Sequence, residues 1–327
     1  MPATAEPLVV TLPDQALLDG VGSPPDGIEL RLWELRERPD EGQDIGVVVP
    51  PYMAGTRGLP LLADLPNLRL VQTLTAGFEH ALPFLPDDVA LANARGVHDT
   101  STAELAVTLA LALLRDVPEF VRAQEVGHWP SDEGVRYRSL ADRRVLVVGY
   151  GGVGRAVAHR MLAFETTVTG VATRARPPGP DGVPVRGVDE LHELLPHHDV
   201  VVLATPLTDA TRGLVDAAFL AVMPDDAVLV NVARGAVVDT DALLAELRSG
   251  RLRAGLDVTD PEPLPPDHPL WTAPGVLISP HTGGPTSAFL PRAVALLRGQ
   301  LERLSTGRRP RGIVVPSTWS ESLSDGD

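Results

Sequence analysis

A glycine-rich turn constrains the fold of this chain more than any other feature of its sequence. The turn reads Gly149-Tyr150-Gly151-Gly152-Val153-Gly154, directly follows the apolar run Val145–Val148, and opens a stretch of helical spacing, Val153–Phe164. In such a strand–turn–helix the first glycine permits the tight turn, the second lets a pyrophosphate approach the backbone, and the third lets helix and strand pack closely. These six residues therefore predict a dinucleotide site. A glycine-rich turn without a ligand is the alternative.

Short apolar runs alternate with helical stretches on both sides of this turn. The alternation predicts an α/β fold with parallel sheets, and the 327 residues suffice for about two domains. The predicted strands are Leu8–Thr11, Ile28–Leu32, Ile45–Val49, Leu68–Thr73, Val89–Ala92, Val145–Val148, Val168–Ala172, Asp199–Ala204, Val228–Asn231, Leu252–Val258 and Val276–Ser279. The predicted helices are Asp14–Leu18, Leu59–Leu65, Ala103–Leu114, Val153–Phe164, Asp189–Leu195, Asp216–Val222, Thr240–Arg248 and Ser287–Leu304.

Polar residues beside these helices predict their ends. We expect Thr100 or Ser101 to cap the helix that begins at Ala103, because short hydroxyl side chains accept hydrogen bonds from free backbone N–H groups. Thr240 or Asp241 is expected to cap the helix over 240–248. The tail from Ser317 is polar and acidic, so it is expected to be mobile.

The composition excludes several chemistries. Cysteine is absent and all 28 basic residues are arginine, which excludes thiol nucleophiles, cysteine metal sites, Schiff-base lysines and P-loop lysines. The net charge of −15 and the lack of a basic stripe argue against a nucleic-acid partner. The start of the chain has no signal-peptide pattern, and no apolar run approaches the roughly 18 residues of a membrane span. We therefore expect a cytoplasmic protein that binds no membrane.

No metal site is predicted. His192 and His197 briefly suggest a zinc-protease helix, but their spacing is one residue too long and Pro196 would break the turn between them.

The residues after the second strand of the dinucleotide unit predict which cofactor is bound. Proteins that bind NAD place a carboxylate there, which accepts a hydrogen bond from the ribose 2′-hydroxyl. Here no acidic residue lies between Glu165 and Asp181, and the strand instead leads into Thr173, Arg174 and Arg176. A hydroxyl and two guanidinium groups suit a 2′-phosphate, so NADP(H) is predicted over NAD(H). The alternative is that these arginines are solvated loop charges.

Arg234, Glu262 and His281 each follow the carboxyl end of a predicted strand, where open parallel sheets bind ligands. The set suits hydride transfer to a 2-oxo acid, in which negative charge develops on the carbonyl oxygen. His281 could donate the proton, Glu262 could stabilise the imidazolium, and Arg234 could bind the substrate carboxylate. A lone histidine is more often structural, but three residues with matching roles favour a catalytic site.

The motifs around these residues resemble those of the D-isomer-specific 2-hydroxyacid dehydrogenases. The resemblance covers most of the chain and is densest from Thr102 to Gly284. The family's catalytic arginine, glutamate and histidine are similar to Arg234, Glu262 and His281. The resemblance implies two flavodoxin- or Rossmann-like domains with an active cleft between them, and a homodimer through the cofactor domain. Residues 1–98 plus 287–327 are expected to form the substrate-binding (catalytic) domain, and residues 99–286 the dinucleotide-binding domain.

The resemblance also implies further contacts. Asp257 is similar to the family residue that bonds the nicotinamide amide, and the loop containing Ala76, Gly77 and Phe78 to the one whose N–H groups bind the substrate carboxylate. Tyr52 and Met53 suggest a partly apolar substrate pocket. The remaining expected cofactor contacts are Thr102, Thr205, Pro206, Thr211, Val232, Ala233, His281 and Gly283.

Departures from the family pattern narrow the range of expected substrates. Phosphoglycerate-type members carry arginines near two early strand ends, where this chain reads Pro50–Met53 and Gln72–Leu74 without one. The resemblance therefore favours reduction of glyoxylate- or hydroxypyruvate-type acids. Trp129 resembles an aromatic that reaches the partner's site in those reductases, although ordinary interface packing explains it equally well. A regulatory, corepressor-like dinucleotide sensor on the same fold is the alternative function, and a methyltransferase leaves the three ionisable residues unexplained.

Overall fold

The computed structural model of the protein describes residues 6–39, 42–130 and 137–325. The chain divides into two compact units. Unit 1 comprises Met1–His98 and Ser287–Asp327, and unit 2 comprises Asp99–Thr286.

Strands and helices alternate along most of the described chain. The strands are β1 (Leu8–Leu12), β2 (Ile28–Leu32), β3 (Ile45–Val48), β4 (Leu70–Gln72), β5 (Ala90–Ala92), β6 (Arg144–Val148), β7 (Thr167–Ala172), β8 (Val185–Gly187), β9 (Val200–Leu203), β10 (Val228–Asn231), β11 (Arg253–Leu256), β12 (Val276–Ile278) and β13 (Ile313–Val315). The α-helices are α1 (Gln15–Val21), α2 (Asp99–Leu114), α3 (Val117–Glu125), α4 (Gly152–Leu162), α5 (Leu191–Leu194), α6 (Ala217–Ala221), α7 (Thr240–Ser249), α8 (Phe289–Ser305) and α9 (Thr318–Ser322). Short 3₁₀ segments span Leu59–Asp64, Leu82–Phe84, Val188–Glu190, Leu195–His197, Gly235–Val237 and Pro269–Thr272.

Unit 1 contains, within the described ranges, a six-stranded sheet in the order β13-β5-β4-β3-β1-β2. Strands β1 to β5 pair in parallel, and β13 adds to β5 in antiparallel orientation. Leu297 and Leu301 of α8 pack with Val10 and Leu70 in one core cluster. Buried Gln300 donates to Gln72 Oε1 (2.6 Å) and to the Arg311 carbonyl (2.7 Å), so it ties α8 to both β4 and the approach to β13.

Unit 2 contains a seven-stranded parallel sheet among its described residues, in the order β12-β11-β10-β9-β6-β7-β8. Successive side chains of β6 enter different cores: Leu146 packs in one cluster, and Val145 and Val147 in the other. A sheet buried on both faces requires such continuously apolar strands. The strand order reverses at β6 and β9, so the glycine turn after β6 lies at the switch point where open α/β sheets bind ligands.

The predicted caps of two helices are wrong. Helix α2 begins at Asp99, so Thr100 and Ser101 lie within its first turn and cannot be caps, which need non-helical backbone. Helix α7 is capped by Asp239, whose carboxylate accepts from the Ala242 N–H at 3.0 Å, in place of Thr240 or Asp241.

The tail predicted to be mobile instead contains α9. Ser317 caps this helix through a hydrogen bond from the Ser320 N–H, and the two serines are buried. The Ser317 N–H in turn donates to Ser320 Oγ, so each of the two hydroxyls accepts a hydrogen bond from the backbone N–H of the other serine.

Sequence patterns also missed helix α3. Pro118 stands in its first turn, where the absent N–H costs nothing because that donor has no partner within the helix. No helix in the described part of the chain is both long enough and apolar enough to span a bilayer.

Candidate active site

The carboxyl ends of three neighbouring strands form one edge of the unit 2 sheet. Asn231, Leu256 and Ile278 end β10, β11 and β12, and they lie in register with one another. Arg234, Glu262 and His281 leave the sheet from these ends. The topology therefore delivers all three predicted catalytic residues to the same edge.

His281 and Glu262 are in direct contact. His281 Nδ1 and Glu262 Oε1 lie 2.5 Å apart, and each side chain is 39% exposed. The hydrogen bond that His281 donates to Glu262 raises the pKa of His281 above its ordinary value, with burial acting in the opposite direction. The same bond lowers the pKa of Glu262. The geometry therefore favours an imidazolium paired with a carboxylate, while Nε2 is the ring nitrogen left for other chemistry.

The backbone at His281 is held in an uncommon conformation. Its φ is +54°, in the left-handed region that side chains other than glycine adopt rarely. The His281 N–H donates to the Asp257 carbonyl at 2.8 Å, which fixes the turn after β12.

Asp257 organises the same turn through its side chain. It is 3% exposed, and its carboxylate accepts from Ser279 Oγ (2.7 Å), the Thr282 N–H (2.7 Å) and the Gly283 N–H (3.0 Å). These donors flank His281 on both sides. Sequence reasoning assigned Asp257 to the cofactor alone, so it missed this positioning role.

The turn that carries Arg234 packs against the loop that carries Glu262. A Cβ on Gly235 would lie 1.8 Å from the Thr259 carbonyl oxygen, so only glycine permits this approach. Buried Asn231 closes the turn by accepting from the Ala233 N–H and donating to the Arg234 carbonyl, each at 3.0 Å. The half-buried Arg234 donates to the Ala233 carbonyl at 2.7 Å, and its charge slightly opposes the raised pKa of His281.

The glycine turn has the space that a dinucleotide requires. Gly149 has φ +98° and passes so close to β9 that a Cβ would lie 2.5 Å from the Ala204 carbonyl carbon. A Cβ on Gly154 would lie 2.1 Å from the Gly149 oxygen, which shows how closely helix and strand pack. A Cβ on Gly151, in contrast, meets no heavy atom of the described residues within 4 Å. The open side at Gly151, facing the start of α4, fits a pyrophosphate.

Two residues of this turn also contact acidic groups that sequence reasoning did not place there. A Cβ on Gly152 would lie 2.1 Å from Asp99 Oδ2, so the first residue of α2 reaches the start of α4. Tyr150 donates its hydroxyl proton to Asp181 at 2.8 Å. No pattern of residue spacing predicts either contact, because each contact joins segments that are distant along the chain.

The predicted 2′-phosphate residues lie beyond β7. Thr173, Arg174 and Arg176 are all exposed. Arg176 is the most constrained of them, because its Nη2 donates to the Tyr150 carbonyl at 2.7 Å and its Cζ lies 5.8 Å from the Tyr150 ring centroid.

Among the other predicted cofactor residues of unit 2, two groups are held together by close contacts. Thr102 Oγ1 donates to the Gly283 carbonyl at 3.3 Å, and a Cβ on Gly283 would lie 2.9 Å from Asp257 Oδ2, so these three residues lie together. Thr211 Oγ1 donates to the Pro206 carbonyl at 2.6 Å and closes the loop that directly follows Thr205. Val232 and Ala233 are buried at the end of β10, and Val153 lies in the first turn of α4.

The predicted substrate residues belong to unit 1. Ala76, Gly77 and Phe78 follow β4, and their loop is closed by Asn93 Nδ2 donating to the Ala76 carbonyl (2.8 Å). Thr75 Oγ1 also donates to the Gly77 carbonyl, at 2.6 Å.

Tyr52 and Met53 follow β3 in the same unit. Tyr52 stacks on Phe289 with ring centroids 3.9 Å apart, and burial raises the pKa of Tyr52 to about 12. Met53 has φ +60° and is 56% exposed. Tyr52 is therefore fixed by packing, whereas the Met53 side chain is open to solvent.

Two further sequence candidates gain no functional contact. His192 and His197 belong to different short helical segments, and no cluster of three His, Asp or Glu side chains suited to a metal occurs among the described residues. Trp129 is 85% exposed.

Known proteins resemble this chain along most of its length. A family model described as D-isomer specific 2-hydroxyacid dehydrogenase, NAD binding domain, matches residues 107–283. The chain is 35% identical to the Homo sapiens glyoxylate reductase/hydroxypyruvate reductase, covering 67% of this chain and 69% of that protein. It is 31% identical to a glyoxylate reductase of Thermofilum pendens, covering 76% and 75%.

Solved structures show the same similarity. A D-isomer specific 2-hydroxyacid dehydrogenase from Xanthobacter autotrophicus Py2, in complex with NADPH and MES, superposes with a TM-score of 0.78 at 30% identity, covering 95% of this chain and 99% of that one. A family protein from Aeromonas salmonicida superposes with a TM-score of 0.81 at 28% identity, covering 95% and 99%.

Proposed function

This chain belongs to the D-isomer-specific 2-hydroxyacid dehydrogenase family, an NAD(P)-dependent group of enzymes, and we propose that it is an NADPH-dependent reductase of small 2-oxo acids. The proposed substrates are glyoxylate- or hydroxypyruvate-type acids, and the products are D-2-hydroxy acids. The observation that carries the proposal is the contact between His281 and Glu262 at the strand edge that also holds Arg234.

His281 is proposed as the general acid. Glu262 holds Nδ1, favours the charged ring and leaves Nε2 to donate a proton to the carbonyl oxygen of the substrate. In the reverse direction the neutral ring accepts the same proton. The bound reduced nicotinamide supplies the hydride.

Arg234 is proposed to bind the substrate carboxylate. A guanidinium forms paired, charge-assisted hydrogen bonds with a carboxylate, and its charge stabilises the negative charge that develops on the adjacent carbonyl oxygen. The tight turn from Asn231 to Gly235 fixes the backbone from which this side chain extends. On the family resemblance, the N–H groups of Ala76, Gly77 and Phe78 are also proposed to bind substrate, and Tyr52 and Met53 are proposed as pocket residues.

NADP(H) is proposed over NAD(H), with the pyrophosphate at the glycine turn and the 2′-phosphate at Thr173, Arg174 and Arg176. Two findings support this choice: β7 leads into a basic segment, and Arg176 is already held at the glycine turn. The expected contacts of Asp257, Thr102, Thr205 and Thr211 with the cofactor belong to the same proposal.

Unit 2 is proposed as the dinucleotide-binding domain, unit 1 as the substrate-binding domain, and the protein as a homodimer through unit 2. Exposed apolar side chains at Val117, Val121, Val126 and Trp129 support an interface on that unit. Analytical ultracentrifugation measures the association.

A panel of 2-oxo acids assayed with NADPH and with NADH tests the proposed reaction. The expected result is loss of NADPH absorbance with glyoxylate or hydroxypyruvate, and slower loss with NADH. Tight cofactor binding without turnover of any acid contradicts the proposal and supports the regulatory dinucleotide sensor instead.

A further inference from the structure

Tyr150 stands at the variable position of the glycine turn, and its ring is buried there with 4% of the residue exposed. The ring lies over Gly170 of β7, where a Cβ would be only 2.4 Å from Tyr150 Cδ2. Any larger residue at 170 would displace the ring. Tyr150 is therefore fitted to its neighbouring strand, and its outer end reaches the segment beyond that strand.

Arg176 is held by the main chain and ring of Tyr150. Its Nη2 donates to the Tyr150 carbonyl at 2.7 Å, and its guanidinium carbon lies 5.8 Å from the ring centroid, within the range of a cation–π contact. The backbone of Arg176 pairs with Val185, whose carbonyl accepts from the Arg176 N–H at 3.0 Å. The backbone and the guanidinium group of Arg176 are thus both held by hydrogen bonds within the protein.

Asp181 is held by the hydroxyl of the same tyrosine. Tyr150 donates to Asp181 Oδ2 at 2.8 Å, while the other carboxylate oxygen accepts from the Val183 N–H at 3.2 Å. The hydroxyl lowers the pKa of Asp181, and Arg155 adds to this effect. A carboxylate charge therefore lies near the same tyrosine as Arg176.

Because Arg176 is proposed to bind the 2′-phosphate, a carboxylate bonded to the same tyrosine would compete with that binding. A carboxylate near the adenosine ribose repels a 2′-phosphate and accepts a hydrogen bond from a 2′-hydroxyl, which favours NADH. It can also pair with a guanidinium and neutralise it. The hydroxyl of Tyr150 satisfies one oxygen of Asp181 and so restrains the carboxylate.

We propose that Tyr150 is a specificity-determining residue for the cofactor: its carbonyl and ring position Arg176 for the 2′-phosphate, and its hydroxyl keeps Asp181 from competing. This inference rests on the proposed preference for NADP(H) and adds to it the residue that maintains the preference. Tyr150 acts through Arg176 and Asp181, so it is a positioning residue.

Dissociation constants for NADPH and NADH, measured by calorimetry on the full chain without substrate, test this role. The Y150F variant keeps the ring and the carbonyl but frees Asp181. We expect its preference for NADPH over NADH to fall about tenfold, because the freed carboxylate repels the 2′-phosphate and pairs with Arg176. The Y150F/D181N double variant removes the freed charge, and we expect it to recover most of the preference. Thermal melts of each variant show that it is folded.

Three results separate the possible failures. A wild-type protein that binds both cofactors equally contradicts the proposed cofactor preference and this inference with it. A wild-type preference that Y150F leaves unchanged contradicts only the role of Tyr150. A preference that falls in Y150F and stays equally low in Y150F/D181N contradicts the role of the Asp181 charge.

Discussion

His281 Nδ1 and Glu262 Oε1 are 2.5 Å apart although the two residues leave the sheet from different strands. The contact depends on two loops being held correctly: Asp257 holds the one with His281, and the turn at Gly235 packs against the one with Glu262. Displacement of either loop should therefore separate His281 from Glu262.

Replacing Glu262 with glutamine should move the pH dependence of reduction. Glu262 raises the pKa of His281, so E262Q lowers that pKa. The reduction needs protonated His281, and its rate should therefore decline at lower pH in E262Q than in the wild type. Profiles of kcat/KM against pH measure the shift, and superimposable profiles would remove Glu262 from the mechanism.

The same pair should stabilise the fold within a defined pH window. The raised pKa of His281 contributes stability that is full below its ordinary value of 6.5 and is lost as pH rises through the folded value. The lowered pKa of Glu262 contributes stability that is full above its ordinary value of 4.5 and is lost as pH falls through the folded value. The unfolding midpoints of wild type and E262Q should differ most between pH 4.5 and 6.5. A difference that stays constant from acid to alkaline pH contradicts this.

Removing the imidazole should separate chemistry from binding. H281A should reduce kcat by about 10² to 10⁴, the usual contribution of a positioned acid, while the dissociation constant for NADPH changes little. Calorimetry and steady-state kinetics measure the two effects. The exposed His192 provides the matched control, because H192A should change neither. Weakened cofactor binding with retained turnover in H281A would refute the assignment.

The two arginines beyond β7 should discriminate between cofactors. Replacing Arg174 and Arg176 together with alanine should raise the Michaelis constant for NADPH by about 10- to 100-fold and that for NADH much less, since charge-assisted bonds to a phosphate are lost. R176A alone should account for more of the effect than R174A, because Arg176 is held at the glycine turn. Equal effects on both cofactors would mean that the 2′-phosphate binds elsewhere.

Alanine substitutions at two glycines of the glycine turn should affect different properties, the stability of the fold in one case and cofactor binding in the other. In G154A the new methyl group would lie 2.1 Å from the Gly149 oxygen, so we expect a loss of about 1–3 kcal/mol in the free energy of unfolding. In G151A the methyl group meets no described heavy atom within 4 Å, so the fold should persist while the pyrophosphate site is blocked. Urea titrations and NADPH binding measure both variants. A stable G151A protein with normal NADPH affinity would exclude the glycine turn as the cofactor site.

The sequence predicted the strands of unit 2 well because their burial on both faces leaves a continuous apolar signal. Val200–Leu203 and Val228–Asn231 are examples. It also predicted that the family is the D-isomer-specific 2-hydroxyacid dehydrogenases, which the comparisons confirm. Roles assigned to individual residues stay predictions.

What the sequence could not predict depends on contacts between distant segments. Asp181 lies within the proline- and glycine-rich link at residues 174–184, which has no periodicity, so nothing in the pattern indicates that its carboxylate bonds to Tyr150. Helix caps failed for a different reason: Asp239, Thr240 and Asp241 can all cap a helix, and only the backbone angles decide among them. Both failures concern geometry that residue type alone does not encode.

Unit 1 is assembled from one segment that precedes unit 2 and one that follows it, and this order has a consequence for synthesis. A ribosome releases unit 2 complete while unit 1 still lacks α8 and β13, whose residues fill its core and extend its sheet. The early part of unit 1 must therefore remain incompletely folded until α8 and β13 have been synthesised, with β5 presenting an open edge to other nascent chains. Truncation before α8 should consequently cause aggregation that begins in residues 6–98.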